Sequence, residues 1–250
     1  MPGWVDVVVQ LRELQSEELM QFEDSLVSNA VTRLVSAGFS PERDRTKAIL
    51  SPAAKHIDVY HGWGLHPLAH IETDVGQWHH DLECLSPQFI GEVGLDKRCL
   101  DKLSWQGQIT RAQIGIDFAA EFDLPLLWHS VQATQRSVEL IKDASRRGVR
   151  GIWHSFYGSV ETARQLVDLG WKLGVGPSLL KPSAHRLRET LRAIPVCNLL
   201  LESDWPQPHG TYCLKLVGET LATLTGVSVE DLQSQLEENF FDLIAKVKPS

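Results

Sequence analysis

Trp4-Val5-Asp6-Val7-Val8-Val9-Gln10-Leu11-Arg12-Glu13-Leu14 opens the chain with a short apolar run that leads directly into charged residues. Such a run reads as a strand buried on both faces, as in a parallel sheet. An open doubly wound sheet usually follows its first strand with a glycine-rich phosphate turn. Leu11-Arg12-Glu13-Leu14 has no glycine, which tips the reading toward a (β/α)8 barrel. Seven more β-type runs follow: Ala30–Ser36, Ile57–Trp63, Phe89–Val93, Leu124–His129, Val149–His154, Trp171–Val175 and Asn198–Glu202. Longer amphipathic stretches separate them. Eight strand–helix pairs in 250 residues fit the size of an α/β TIM barrel. No linker, low-complexity tract or short repeat interrupts the chain, so one domain over residues 1–250 is expected.

The helix starts carry their own signals. Ser16 precedes Glu17 and Glu18, and Ser40 is followed by Pro41 and Glu42. Ser159 precedes Glu161, and Ser228 precedes Glu230 and Asp231. Each reads as an N-cap with an acidic first turn. Within Trp105–Phe122, Ile109, Ala112, Ile116, Ala119 and Ala120 recur at helical spacing.

Hydrophobic residues make up 43% and charged residues 22%, which excludes extended disorder. The net charge of −8 excludes a chain that coats nucleic acid by bulk charge, while leaving room for a local basic groove. No apolar run approaches the ~18–20 residues of a membrane span. Met1-Pro2-Gly3-Trp4-Val5-Asp6 lacks the basic and apolar regions of a leader peptide. Cys84, Cys99, Cys197 and Cys213 form no C-x-x-C pair and read as free thiols, so a cytoplasmic location is expected.

Barrels place their reactive groups at the C-terminal ends of strands. Four runs here end in potential metal ligands: Glu92 through Asp96, His129, His154, and Glu202 through Asp204. One histidine at a strand end is commonly a loop anchor. Two imidazoles and a carboxylate from neighbouring strands instead make a three-ligand set that suits Zn2+ with a position open for water.

These segments resemble the TatD family of metal-dependent hydrolases. Gly91-Glu92-Val93-Gly94-Leu95-Asp96 is similar to its G-E-[IV]-G-L-D motif, and Leu124 to Ser130 to L-P-x-x-x-H-S. His154-Ser155-Phe156-Tyr157-Gly158-Ser159 resembles H-x-F-x-G-S, and Leu200 to Pro206 resembles L-L-E-T-D-x-P. Gly64-Leu65-His66-Pro67 resembles G-x-H-P. The resemblance implies a barrel of the amidohydrolase/TatD type and hydrolysis of DNA phosphodiesters. It implies Glu92, His129 and His154 as ligands of one metal, Glu92 as a bridge to another, and Asp204 as a ligand of that other metal that helps orient the attacking water; Glu92 and Asp204 carry the catalytic roles.

The first strand departs from the family. Its D-x-H-x-H-L becomes Asp6-Val7-Val8-Val9-Gln10-Leu11, so Val8 and Gln10 stand where two histidines would hold another metal. No H-x-H occurs anywhere in the chain. Val131 also replaces the arginine that usually follows the H-S of the fifth strand. One divalent metal is therefore expected, Zn2+ first, with Mg2+ or Mn2+ as alternatives. Two classes of function stay open. One is a nuclease with a reduced, single-metal site, acting on single-stranded DNA or another nucleic acid. The other is a degenerate scaffold used as a binding subunit, as in an anti-phage defence complex. Small-molecule amidohydrolysis is a third reading.

Substrate contacts are expected from His66, near the site mouth, and from Lys181 and His185, which follow the seventh strand, with Arg188 a weaker candidate. Trp205 stands next to Asp204 and is expected to stack on a base, plug the pocket, or pack under a loop. His70, His79 and His80 read as surface residues, and Asp96 as a brace for the loop after the fourth strand.

Overall fold

The computed structural model describes residues 3–46, 49–71, 74–206 and 211–245. Its strands are β1 (Trp4–Val9), β2 (Val31–Ser36), β3 (Asp58–Leu65), β4 (Phe89–Asp96), β5 (Leu126–Val131), β6 (Gly151–Trp153), β7 (Lys172–Val175) and β8 (Leu199–Leu201). They form one eight-stranded sheet in sequential order. β1 pairs with β2, β3 with β4, β4 with β5, β5 with β6 and β7 with β8, all in parallel. The order closes on itself: the Asp204 amide donates to the Val8 carbonyl at 3.0 Å, and the Gln10 amide to Trp205. Every residue of β1 and β4 is buried, as strands covered on both faces require. This is the topology of a (β/α)8 barrel.

The helices are α1 (Ser16–Ser28), α2 (Val75–Leu85), α3 (Trp105–Glu121), α4 (Thr134–Arg146), α5 (Val160–Asp168), α6 (His185–Arg192), α7 (Leu214–Thr225) and α8 (Val229–Ile244). The α3 periodicity holds: Ala112, Ile116 and Ala119 are buried, and Ser104 caps the helix through the Gly107 amide. Ser159 caps α5 through Thr162, and the Ser228 hydroxyl accepts from the Asp231 amide at the start of α8.

Two expected helix starts differ. The cap of α1 is Gln15, which forms a capping box with Glu18, so Ser16 is already helical. Ser40-Pro41-Glu42 starts no helix. The chain makes one turn, closed by the Asp44 amide on the Ser40 carbonyl at 2.9 Å. The Asp44 carboxylate then accepts from the amides of Phe39 and Gly64, both at 2.9 Å. A side chain that fastens the turn to β3 competes with helix propagation. Among the described residues, only a single 3-10 turn at Pro52–Ala54 lies between that turn and β3.

The chain divides into two compact units. The first comprises Met1–Ser36, Ala48–Tyr60 and His154–Asp242; the second comprises Ala37–Lys47, His61–Trp153 and Leu243–Ser250. No helix among the described residues is long and apolar enough to cross a membrane.

Candidate functional site

In the second unit, β4 and β5 pair with Gly94 opposite His129. Gly94 has φ 150°, and a Cβ there would lie 1.9 Å from the His129 carbonyl oxygen. Glycine therefore lets the two backbones meet. Glu92 and Asp96 stand two residues to either side of Gly94, and each reaches the same imidazole. His129 Nδ1 lies 3.1 Å from Glu92 Oε2, and His129 Nε2 lies 3.1 Å from Asp96 Oδ2.

Asp96 is fully buried. Burial alone would raise its carboxyl. Hydrogen bonds from His129 and from Arg98 more than offset this and hold it well below the usual carboxylate range. Arg98 grips it with Nε at 3.0 Å and Nη2 at 2.6 Å. An ionised carboxylate only accepts, so His129 Nε2 carries the proton and Nδ1 is the nitrogen turned toward Glu92. The expected loop brace at Asp96 is present, since it also caps the turn at Lys97–Cys99; its grip on His129 is additional.

His66 joins this group from the loop after β3. Its ring stacks on Phe39 at 4.7 Å and meets the His129 ring edge-on at 4.4 Å. The Leu68 amide donates to its Nδ1 at 3.0 Å. That fixes the proton on Nε2, which lies 3.7 Å from Glu92 Oε2. His66, Glu92 and His129 are close enough to share an ion, each with one donor atom within 4.8 Å of the others. The tautomer nevertheless makes His66 a hydrogen-bond donor, whereas His129 offers a lone pair.

In the first unit, the residues after β8 gather around His154. Glu202 Oε1 accepts from the Ser155 amide at 2.6 Å and lies 3.2 Å from His154 Nδ1. His154 Nε2 faces Asp204 Oδ1 at 3.9 Å. Both Glu202 and His154 are buried, and Asp204 is half-buried with φ 51°. At each histidine one nitrogen lies beside a buried carboxylate, His129 Nε2 by Asp96 and His154 Nδ1 by Glu202, and the other faces an acidic residue. Glu202 as the support of His154 was not singled out from sequence, although it lies in the same strand-end run as Asp204.

β1 carries no imidazole. Val8 is fully buried. Asp6, also fully buried, accepts from the Ser203 amide at 2.9 Å on Oδ1 and from the Tyr212 hydroxyl at 2.8 Å on Oδ2. Burial pushes its pKa up to about 7 from 3.8, against those hydrogen bonds. Asp6 therefore binds its proton more tightly in the folded protein than in the unfolded chain. Its contribution is fully present below about pH 4 and is lost as pH rises through about 7. Asp6→Asn keeps the geometry without the charge. Urea titrations should find the variant up to about 4 kcal/mol more stable than the parent at pH 8. Near pH 4 the difference should vanish.

The remaining expected residues separate by environment. Lys181 and His185 are exposed around the start of α6. Arg188 is engaged elsewhere: its guanidinium donates to the carbonyls of Leu179, Lys181 and Pro182 at 2.8, 2.8 and 3.2 Å, so it fixes the loop. Trp205 lies parallel to Phe22, with centroids 6.3 Å apart, and meets Tyr212 edge-on at 6.1 Å. Packing against these rings accounts for its position. His70 and His80 are exposed, whereas His79 is half-buried and reaches Glu121 at 2.8 Å.

The sequence profile of the family described as TatD related DNase matches residues 5–245. The chain belongs to the TatD family. As a TatD-family protein it is a metal-dependent hydrolase. The relative named uncharacterized metal-dependent hydrolase YabD, from Bacillus subtilis, is 29% identical over 243 residues, covering 91% of this chain and 92% of its own. The crystal structure of the TatD homologue YjjV from Escherichia coli superposes with a TM-score of 0.79 at 23% identity, covering 96% of this chain and 97% of that one. A TatD-family hydrolase from Entamoeba histolytica gives 0.77 at 14% identity, covering 96% and 97%. At these identities the two structures speak to the fold, a TatD-type (β/α)8 barrel.

Proposed function

We propose that this TatD-family chain hydrolyses phosphodiester bonds of single-stranded nucleic acid with one divalent ion, Zn2+ first. The proposed ligands are those implied by the family motifs: Glu92, His129, His154 and Asp204. The observation that supports the reading is that each histidine is backed by a buried carboxylate, Asp96 behind His129 and Glu202 behind His154. Metal-ligating histidines have such partners almost without exception, because the partner fixes tautomer and ring direction. The donor set of two imidazoles with carboxylates suits Zn2+.

The bound ion would supply a water of pKa about 7 and polarise a phosphoryl oxygen. Asp204 accepts the proton of the attacking water. His66 Nε2–H, fixed by the Leu68 amide, donates to a phosphoryl oxygen as negative charge develops there. Lys181 and His185 meet flanking phosphates. The whole of residues 1–250 serves as one barrel domain in this reading, and its cysteines, all free, accord with a cytosolic location.

Turnover of end-labelled single-stranded DNA tests this. The protein, purified without chelator, should cleave the strand, lose activity on chelator treatment and regain it with added Zn2+. No turnover by ion-loaded protein, or turnover that chelators leave unchanged, would contradict it.

A further inference from the structure

We infer that Tyr157 is a stacking platform for a base of the bound strand, and that this platform selects single strands over duplex. The inference rests on the nucleic-acid reading above and adds a residue that the family motif leaves unspecified, the x of H-x-F-x-G-S.

Tyr157 follows His154 by three residues and is 52% exposed, whereas its neighbour Phe156 is 3% exposed. The turn between them is held on several sides. The Ser155 amide donates to Glu202 at 2.6 Å, and the Phe156 amide to the Gly174 carbonyl at 3.0 Å. The Thr190 hydroxyl donates to the Gly158 carbonyl at 3.1 Å. Phe156 folds beneath Gly158, where a Cβ would meet its ring at 2.5 Å. With Phe156 committed inward and the backbone pinned, Tyr157 is turned to solvent on a fixed support. An isolated exposed aromatic is ordinary on a protein surface. One mounted this way, immediately beyond a strand-end histidine, already has its backbone ordered before it meets a base.

The same support carries cations. Thr190, which holds the Tyr157 turn, lies on α6, and α6 begins at the exposed His185. Arg188, also on α6, fixes the carbonyls of the loop that carries exposed Lys181. Tyr157 and Lys181 are thus presented by two loops tied to one short helix, whose first residue is His185. Aromatic faces beside cations are the recurring recognition device for single strands, whose bases can leave the stack. A duplex keeps its bases paired and offers only phosphates to the same surface. Trp205, next to Asp204, is packed against Phe22 and Tyr212.

The test is anisotropy of a labelled phosphorothioate oligothymidylate, which resists hydrolysis, with the zinc-loaded protein. Tyr157→Ala should weaken binding about 5- to 100-fold. The slope of affinity against salt should stay that of the parent, because no phosphate contact is lost. Tyr157→Phe should bind like the parent, and affinity for duplex should be unchanged in both variants. Parental affinity of Tyr157→Ala for the single strand, or an equal loss for duplex, would overturn the platform alone. A parent that neither binds nor cleaves the single strand would overturn the function proposed above together with it.

Discussion

His129→Ala should cost the protein both its ion and several kcal/mol of stability. The ring lies between two buried carboxylates, each 3.1 Å away. Without it, Asp96 keeps Arg98 but loses the Nε2–H donor, and Glu92 loses the ring packed beside it in a buried position. Leaving a buried acceptor short of a donor costs about 1–3 kcal/mol, and the volume emptied by the ring adds to it. Urea denaturation of the ion-free variant should show a loss of that order. Removing a residue that only supports a ligand lowers metal affinity about 10- to 100-fold. Removing the ligand itself should exceed that range in chelator competition. His129→Gln separates the two effects. Its amide can donate to one carboxylate, so stability should return in part while the ion stays absent. A glutamine variant that holds the ion as tightly as the parent would show that His129 is not a ligand.

Gly94→Ala should be comparably severe for a different reason. At φ 150° only glycine is at ease, and the added carbon would lie 1.9 Å from the His129 carbonyl oxygen and 2.8 Å from its carbon. Those atoms belong to backbone and cannot rotate away. Strain at such a position and overpacking against a neighbour each cost about 1–3 kcal/mol, so a loss of about 2–6 kcal/mol is expected. The strands must also part, which draws His129 away from Glu92 and Asp96. Metal affinity should therefore fall together with the melting temperature. Gly170→Ala is the control: its φ is 80° but nothing lies within 4 Å of the new carbon. It should show the backbone cost alone, about 1 kcal/mol, with metal affinity unchanged.

What the sequence reveals here follows the range of the interactions. All eight strands are legible because each is a short apolar run, and the four strand ends that carry the candidate ligands stand out because polar residues close those runs. The cap of α5 is legible because Ser159 and Thr162 are three residues apart. Ser40-Pro41-Glu42 misleads because its outcome is decided by Asp44 reaching Gly64, 20 residues on. The bond from Tyr212 to Asp6 spans 206 residues, and nothing near either residue announces it. The same holds for the supports of the two histidines. Asp96 and Glu202 are visible as members of strand-end runs, but their aim at His129 and His154 depends on strand register. Trp205 illustrates the converse: its place beside Asp204 suggests a substrate contact, while Phe22 on α1 gives it a packing partner.

The proposed site holds a single ion, because Val8 on β1 is a buried aliphatic and Asp6 is already bonded to Ser203 and Tyr212. Elemental analysis after equilibrium dialysis against Zn2+ tests it most directly. One equivalent per chain is expected, lost in His129→Gln. Two equivalents, or none, would contradict it.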